Sequence, residues 1–373
     1  MQDKIWAQNL LDEIYKKELE AAGRNMGVIP YTTVNGRFDD WTDRIWWWTN
    51  GFWGGLLWNL YKLYEMNDGD ESILRRNAEI IEGKLEKNLM DYQGMDHDNG
   101  FKFLLTSVVN YKLTGNVTSK NRALLAAANL AGRFNLNAGL IRAWNDASTG
   151  ETAGWAIIDC MMNLPLLYWA SEEIKDPRFK QIAMKHADTS MKVFIRENGS
   201  SNHIVSFHPE SGEFIESLGG QGLGVGSAWT RGQAWALYGF TLSYDYTKEQ
   251  RYLDTAMKAA DFFLSQIPEG GHIPVDFAQP KGCGTEDSSA AAIAACGLIE
   301  LSRAVLEEKA RNLYYEAATG LLKAIAQDRL NLTAATDNLL EKCTVAYHSK
   351  EQEMAVIYGD YYFVEALSKL LRS

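Results

Sequence analysis

Apolar and small residues recur every three to four positions along this chain, in two alternating kinds of segment. In the first kind one face is apolar and the other polar. It begins near Glu71 (Ile73, Leu74, Ala78, Ile81, Leu85), near Asn121 (Leu124, Ala128) and at Pro177 (Phe179, Ala183, Ala187, Met191). It returns near Arg251 (Tyr252, Ala256, Ala260, Leu264) and Asn312 (Leu313, Ala317, Leu321, Ile325), and residues 3–21 carry it through Ile5, Trp6, Leu10 and Ile14. This spacing predicts amphipathic helices with one wet face. Pro177 suits the first turn of its helix, where a missing N–H costs nothing.

The second kind is apolar or small nearly all round, starting near Gly51, Gly100, Asp159, Arg231, Ser288 and Gly359. Gly54-Gly55-Leu56-Leu57-Trp58 and Ala290-Ala291-Ala292-Ile293-Ala294-Ala295 are examples. A helix without a polar face is a buried one. Wet-faced and buried helices alternating every roughly 50 to 70 residues signal an array of helical hairpins. Six hairpins predict an all-α toroid, an inner ring of six helices inside an outer six, with an open solenoid as the alternative. Period-two alternation, which strands require, is confined to His203–Phe207 and His272–Phe277. With only 7 prolines and no Pro/Ser/Gly linker, residues 1–373 read as a single domain.

In such a ring all inner helices point the same way, so their N-termini converge on one mouth. The polar and aromatic residues collect there: Trp48-Thr49-Asn50-Gly51-Phe52-Trp53, Asp96-His97-Asp98-Asn99-Gly100-Phe101, Asp159, Trp229-Thr230-Arg231-Gly232-Gln233-Ala234-Trp235, Asp287-Ser288-Ser289 and Gly359-Asp360-Tyr361-Tyr362. Connections of functional length, about 135–156, 198–229, 267–287 and 330–357, lead into the same end. Asp98 and Asp159 open consecutive buried helices and are expected to face each other, one held protonated by apolar surroundings and the other ionised. Asp96, Asp287 and Asp360 read as caps or supports. Asp159 stands between Ile157-Ile158 and Cys160-Met161-Met162, and a carboxylate in that setting serves either catalysis or structure. Arg231 either pairs with a substrate carboxylate or makes an internal salt bridge. His203 and Gln221 offer hydrogen bonds. The run Gly219-Gly220-Gln221-Gly222-Leu223-Gly224-Val225-Gly226 lacks nucleotide-binding spacing and reads as a flexible rim loop.

The net charge of -11 argues against a nucleic-acid partner but not against a small anion met by local donors. No apolar run is long enough for a membrane span. The opening Met1-Gln2-Asp3-Lys4 is not a leader, so the expected location is cytoplasmic, or periplasmic if a signal peptide once preceded it. Cys160, Cys283, Cys296 and Cys343 are scattered and are expected to be buried free thiols. No ligand cluster forms among 6 histidines, and no metal or cofactor is expected. Trp and Tyr are abundant, 12 and 17; most read as ordinary core aromatics, but clusters such as Trp46-Trp47-Trp48 present flat faces with a polar handle that suit sugar rings.

The motif blocks above, together with Ile157-Ile158-Asp159-Cys160-Met161-Met162-Asn163-Leu164-Pro165 and Tyr358-Gly359-Asp360-Tyr361-Tyr362, resemble the unsaturated glucuronyl hydrolases, glycoside hydrolase family 88, in order and spacing along nearly the whole chain. The resemblance implies an (α/α)6 barrel. It also implies hydrolysis of the terminal 4,5-unsaturated uronic acid that polysaccharide lyases leave on glycosaminoglycan-type oligosaccharides. By the same resemblance the aspartate at Asp159 protonates C4 and assists water at C5, and Asp98 holds the ring hydroxyls. His203, Gln221 and Arg231 line the site, and Trp48, Trp144 and Trp235 contact the sugar. Where the family often has Asp-Trp-Thr-Asp, this chain has Trp47-Trp48-Thr49-Asn50. The rivals are the related hydrolases of unsaturated rhamnogalacturonan fragments, sugar 2-epimerases built on similar toroids, and a non-catalytic glycan-binding protein.

Overall fold

A computed structural model describes residues 2–67, 71–145 and 151–372, so positions 146–150 of the predicted 135–156 connection lie outside the described residues. Wet-faced and buried helices alternate as the pattern requires. α1 (Gln2–Arg24) is followed by α2 (Phe52–Leu60), and α3 (Ile73–Leu85) by α4 and α5 (Asn99–Phe103 and Val109–Thr114). Then come α6 (Val117–Gly132) and α7 (Leu164–Ile174), α8 (Arg178–Val193) and α9 (Thr230–Thr247), α10 (Gln250–Ser265) and α11 (Ser288–Ala304), and α12 (Glu308–Asp328) and α13 (Ile357–Arg372). Two buried helices leave α geometry: α2 runs on through a π turn, Tyr61–Glu65, and another, Leu104–Val108, joins α4 to α5.

The buried members α2, α4–α5, α7, α9, α11 and α13 pack side by side in chain order, and α13 returns to pack on α2. That contact closes the ring and excludes an open superhelix. The fold is an all-α (α/α)6 barrel, because only an inner ring gives all-round apolar helices neighbours on every side. Phe52, Trp53, Trp58 and Tyr362 are each 2% exposed or less, and each such burial contributes about 1.5–3 kcal/mol. Outer-helix starts carry local caps: Ser72 accepts the Arg75 N–H, Asn116 those of Thr118 and Ser119, and Glu307 those of Lys309 and Ala310.

Among the described residues strands occur only as short ribbons. β1 (Thr33–Val34) pairs with β2 (Arg37–Phe38), and β3 (Phe134–Asn135) with β4 (Leu140–Ile141). β5 (Trp155–Ile157), β6 (Ile204–Phe207) and β7 (Phe214–Leu218) form one antiparallel sheet in that order. The second alternating stretch, His272–Phe277, makes isolated bridges only, Trp229 with Asp276 and Pro274 with Glu286. Cys160, Cys296 and Cys343 are buried free thiols as expected, but Cys283 is exposed, because its segment is a loop with no core beneath it. Among the described residues no helix is long and apolar enough to cross a membrane.

Candidate active site

The small sheet sets the first catalytic candidates side by side. β5 pairs with β6 through Ile157 and Ile204, and the Ile158 N–H donates to the His203 carbonyl at 3.1 Å. Asp159 therefore leaves the sheet beside His203, in the first turn of a 3-10 segment (Ile158–Met162) that leads into α7. Asp98 occupies the N-cap position of α4, yet its carboxylate caps nothing. Its Oδ1 accepts from Asn163 Nδ2 at 3.2 Å, and its Oδ2 lies 3.3 Å from His97 Nε2. Asn163 also donates to the Asp159 carbonyl at 3.3 Å and accepts the Phe101 N–H at 2.8 Å, which locks the starts of two inner helices together. A Cβ on Gly100 would stand 2.6 Å from the Asn163 Cα, so this approach needs glycine.

These groups line a cavity of about 340 Å³ at the mouth, within the range of small-ligand sites. Its walls include Trp46, Trp47, Trp48 and Trp144. The Trp48 ring is braced by Tyr358 at 4.9 Å and Phe101 at 5.6 Å, while Trp144 is 38% exposed and rests on Trp155 at 6.1 Å.

Burial, and then the charge of Asp98, push the Asp159 carboxyl up to about 7, against the pull of His97 and Arg231. Its Oδ2 accepts no hydrogen bond. His203 Nδ1 accepts the Gln221 N–H at 2.9 Å, which leaves the proton on Nε2, 3.7 Å from Asp159 Oδ2. Burial, with the Arg231 charge, brings the His203 pKa down to about 3, so this imidazole is neutral. His97 is the opposite case: burial opposes its charge, but the charge and hydrogen bond of Asp98 outweigh it and raise its pKa well above the usual value. The pocket thus holds a His97–Asp98 ion pair beside a carboxylic acid that keeps its proton up to about pH 7.

Asp98, Asp159, Trp48, Trp144, His203, Gln221 and Arg231 all reach this cavity. Trp235 does not. It is fully buried, its ring 5.3 Å from those of both Phe101 and Tyr362. Four residues beyond Arg231 on α9, it sits about 6 Å deeper below the mouth. The alternative left open for Arg231 resolves toward an internal salt bridge. Its Nη1 meets Asp287 at 2.5 Å and the Thr344 carbonyl at 2.6 Å, and its Nη2 meets the Val345 carbonyl at 2.6 Å. Nε alone is without a partner. The glycine-rich run is pinned rather than loose: buried Asp276 accepts from Leu223 N at 2.9 Å and Ser227 Oγ at 2.6 Å, and a Cβ on Gly220 would collide with His203.

Three contributors escaped sequence reasoning. Asn163, polar in an apolar run four residues after Asp159, carried a readable signal. His97 lay beside Asp98 in plain view, but its ion pair needed the fold. Glu351 reaches the rim from a distant loop and is 3.4 Å from the Tyr31 hydroxyl, which no local pattern announces. Among the described residues no three His, Cys, Asp or Glu side chains gather as a group that could hold a metal ion.

A carboxyl with a raised pKa beside a paired carboxylate, in an aromatic-walled pocket at the mouth of an (α/α)6 barrel, suits a carbohydrate-active hydrolase. No family model matches the chain. It is 35% identical over 340 residues to an unsaturated glucuronyl hydrolase of Bacillus sp. strain GL1, covering 87% of this chain and 86% of that protein. It is 32% identical over 330 residues to an unsaturated chondroitin disaccharide hydrolase of Streptococcus pneumoniae, covering 87% and 82%. The crystal structure of the unsaturated glucuronyl hydrolase from Bacillus sp. GL1, responsible for the degradation of glycosaminoglycan, superimposes with a TM-score of 0.91 at 31% identity, covering 98% of this chain and 97% of that one. The chain belongs to the unsaturated glucuronyl hydrolase family.

Proposed function

We propose that this chain, as one catalytic domain over residues 1–373, hydrolyses the terminal 4,5-unsaturated uronic acid of lyase-generated, glycosaminoglycan-type oligosaccharides, with Asp159 as proton donor and water activator. The observation that carries the assignment is the Asp159 carboxyl itself. It sits in the aromatic pocket with an unpartnered Oδ2 and a pKa pushed up to about 7. Protonating the carbon of a vinyl ether needs an acid still loaded near the working pH.

In this reading Asp159 gives its proton to C4, and the positive charge that develops at C5 is shared with the ring oxygen. Water adds at C5, and its proton returns to the Asp159 carboxylate. The resulting hemiketal opens at the ring oxygen. C1 is then a hemiacetal and releases the next sugar as its alcohol. Asp98, oriented by Asn163 and His97, holds the ring hydroxyls, and its charge keeps Asp159 protonated. His203 points Nε2–H toward Asp159 and the reacting edge. Trp48 and Trp144 offer flat faces to the sugar. Arg231 acts on the uronate through its charge, since both Nη atoms are committed to the protein and Nε is buried.

The test is a panel of lyase-generated disaccharides followed by loss of the C4=C5 ultraviolet absorbance, run in deuterated water. Deuterium at C4 of the product is the expected result. Turnover without it would exclude proton delivery to C4.

A further inference from the structure

The opposite end of the ring holds a second cavity, about 410 Å³, lined by the C-terminal halves of inner helices and reaching up to Phe101, Pro165 and Tyr362 nearer their starts. Its walls are apolar and aromatic, with Trp58, Leu105, Leu242 and Tyr246 among them. Four cations also line it, Lys62, Lys112, Lys369 and Arg372, against one carboxylate, Glu365. Lys369 is matched by Glu300 at 2.6 Å and Glu365 at 3.4 Å. Lys62, Lys112 and Arg372 form no ion pair among the described residues, although the chain carries 48 acidic side chains for 37 basic ones. Burial, and then the charges of Arg372, Lys112 and Lys369, lower the Lys62 pKa. These cations therefore repel one another across the cavity edge.

Cations at helix C-termini complement the helix dipole, and that alone explains some of them. It does not explain the cavity or the backbone around it. The two π turns, Tyr61–Glu65 and Leu104–Val108, lie on neighbouring inner helices, and both contribute residues to this wall: Lys62 from one, Leu104, Leu105 and Val108 from the other. Such turns are rare and cluster at functional sites. Trp58, on the same wall, has a buried Nε1–H without an acceptor. Four cations against one carboxylate on the wall, an orphan donor and apolar side chains between them point to one chemistry.

We infer that this cavity binds an organic carboxylate with an apolar body, its hydrocarbon part among the aromatic walls and its carboxylate between Lys62, Lys112 and Arg372. The site is separate from the hydrolytic pocket and does not depend on the reaction assigned there. Calorimetric titration of the intact protein with octanoate and phenylpropionate tests it, with octanol and inorganic sulfate as the uncharged and non-apolar counterparts. At least one carboxylate should bind, about tenfold tighter than octanol or sulfate, and the tighter of the two tells an alkyl from an aryl occupant. Lys62→Glu and Lys112→Glu lie on the exposed rim and should each weaken binding by about tenfold with unchanged unfolding temperatures. Leu242→Trp should block it by filling the interior. No carboxylate binding, binding equal to that of octanol, or binding unaffected by both charge reversals would each overturn the inference.

Discussion

On the half of the mouth built by α11 and α13, aspartates are wired into the frame. Asp287 caps α11 through Ser289, accepts the Thr344 N–H at 3.3 Å and holds Arg231 with its other oxygen. Asp360, in the first turn of α13, accepts the Leu340 N–H at 2.6 Å and is 1% exposed. On the half built by α4 and α7 the same residue type stands at equivalent places and is left open. Asp98 caps no helix and spends its oxygens on the side chains of Asn163 and His97 instead, while the Asp159 side chain is 16% exposed with one oxygen unpartnered. Yet Asp159 and Asp360 are both pushed up to about 7, burial being the first cause in each. A raised pKa therefore does not distinguish a reacting carboxyl from a structural one. Access and spare hydrogen-bonding capacity do.

The sharpest way to break this comparison is on the wired half. Arg231→Ala leaves Asp287 charged and unpaired in the core, which should cost about 3–5 kcal/mol of stability, read as a lower urea midpoint. An unchanged midpoint would mean that this half is not a frame. On the open half the loss should be of rate. Asp159→Asn should lower kcat by about a hundredfold or more, with the unfolding midpoint at or above that of the parent protein, because a buried ionisable group has been removed. Asp98→Asn separates the two aspartates further. Removing its charge removes one cause of the raised Asp159 pKa, so the alkaline limb of kcat against pH, expected near 7 in the parent, should move toward acid by ~1 unit. A limb that stays in place would show that losing the Asp98 charge is offset by losing the His97 charge it sustains.

Much of this contrast was legible in the chain, and the illegible part has a physical reason. All-round apolar segments mark inner helices whatever their partners, so the starts read near Gly51, Gly100, Ser288 and Gly359 fall within about two residues of those observed. The third inner helix begins later than Asp159, because a 3-10 segment carries that residue first. Asp98 and Asp159 were readable as neighbours from the ring alone. Depth was not: Trp235 shares a motif with Arg231, but one helical turn separates pocket wall from core. Nor was the fate of Arg231, whose carbonyl partners Thr344 and Val345 lie more than a hundred residues away in sequence. The glycine run looked loose because composition does not show that Asp276 anchors it. The second cavity depends on two π turns, which helical periodicity does not reveal.

The smallest expected effect is the most direct check on the wired half. Asp360 titrates near 7 in the folded protein and near the ordinary carboxylate value when unfolded. Below that ordinary value it is protonated in both states and folding bears no penalty from it. Between the two values the unfolded chain ionises while the folded one stays protonated, so its stabilising contribution falls as pH rises, and above about 7 the loss is complete. Asn cannot ionise but keeps an oxygen for the Leu340 N–H. Asp360→Asn should therefore gain stability relative to the parent as pH rises from about 4 to about 7, and hold that gain above it. Thermal melts across this range should show the difference growing to about 2 °C or more, with kcat unchanged. A pH-independent difference would mean that Asp360 is ionised in the folded state, and a matching fall in kcat would place it on the open half with Asp159.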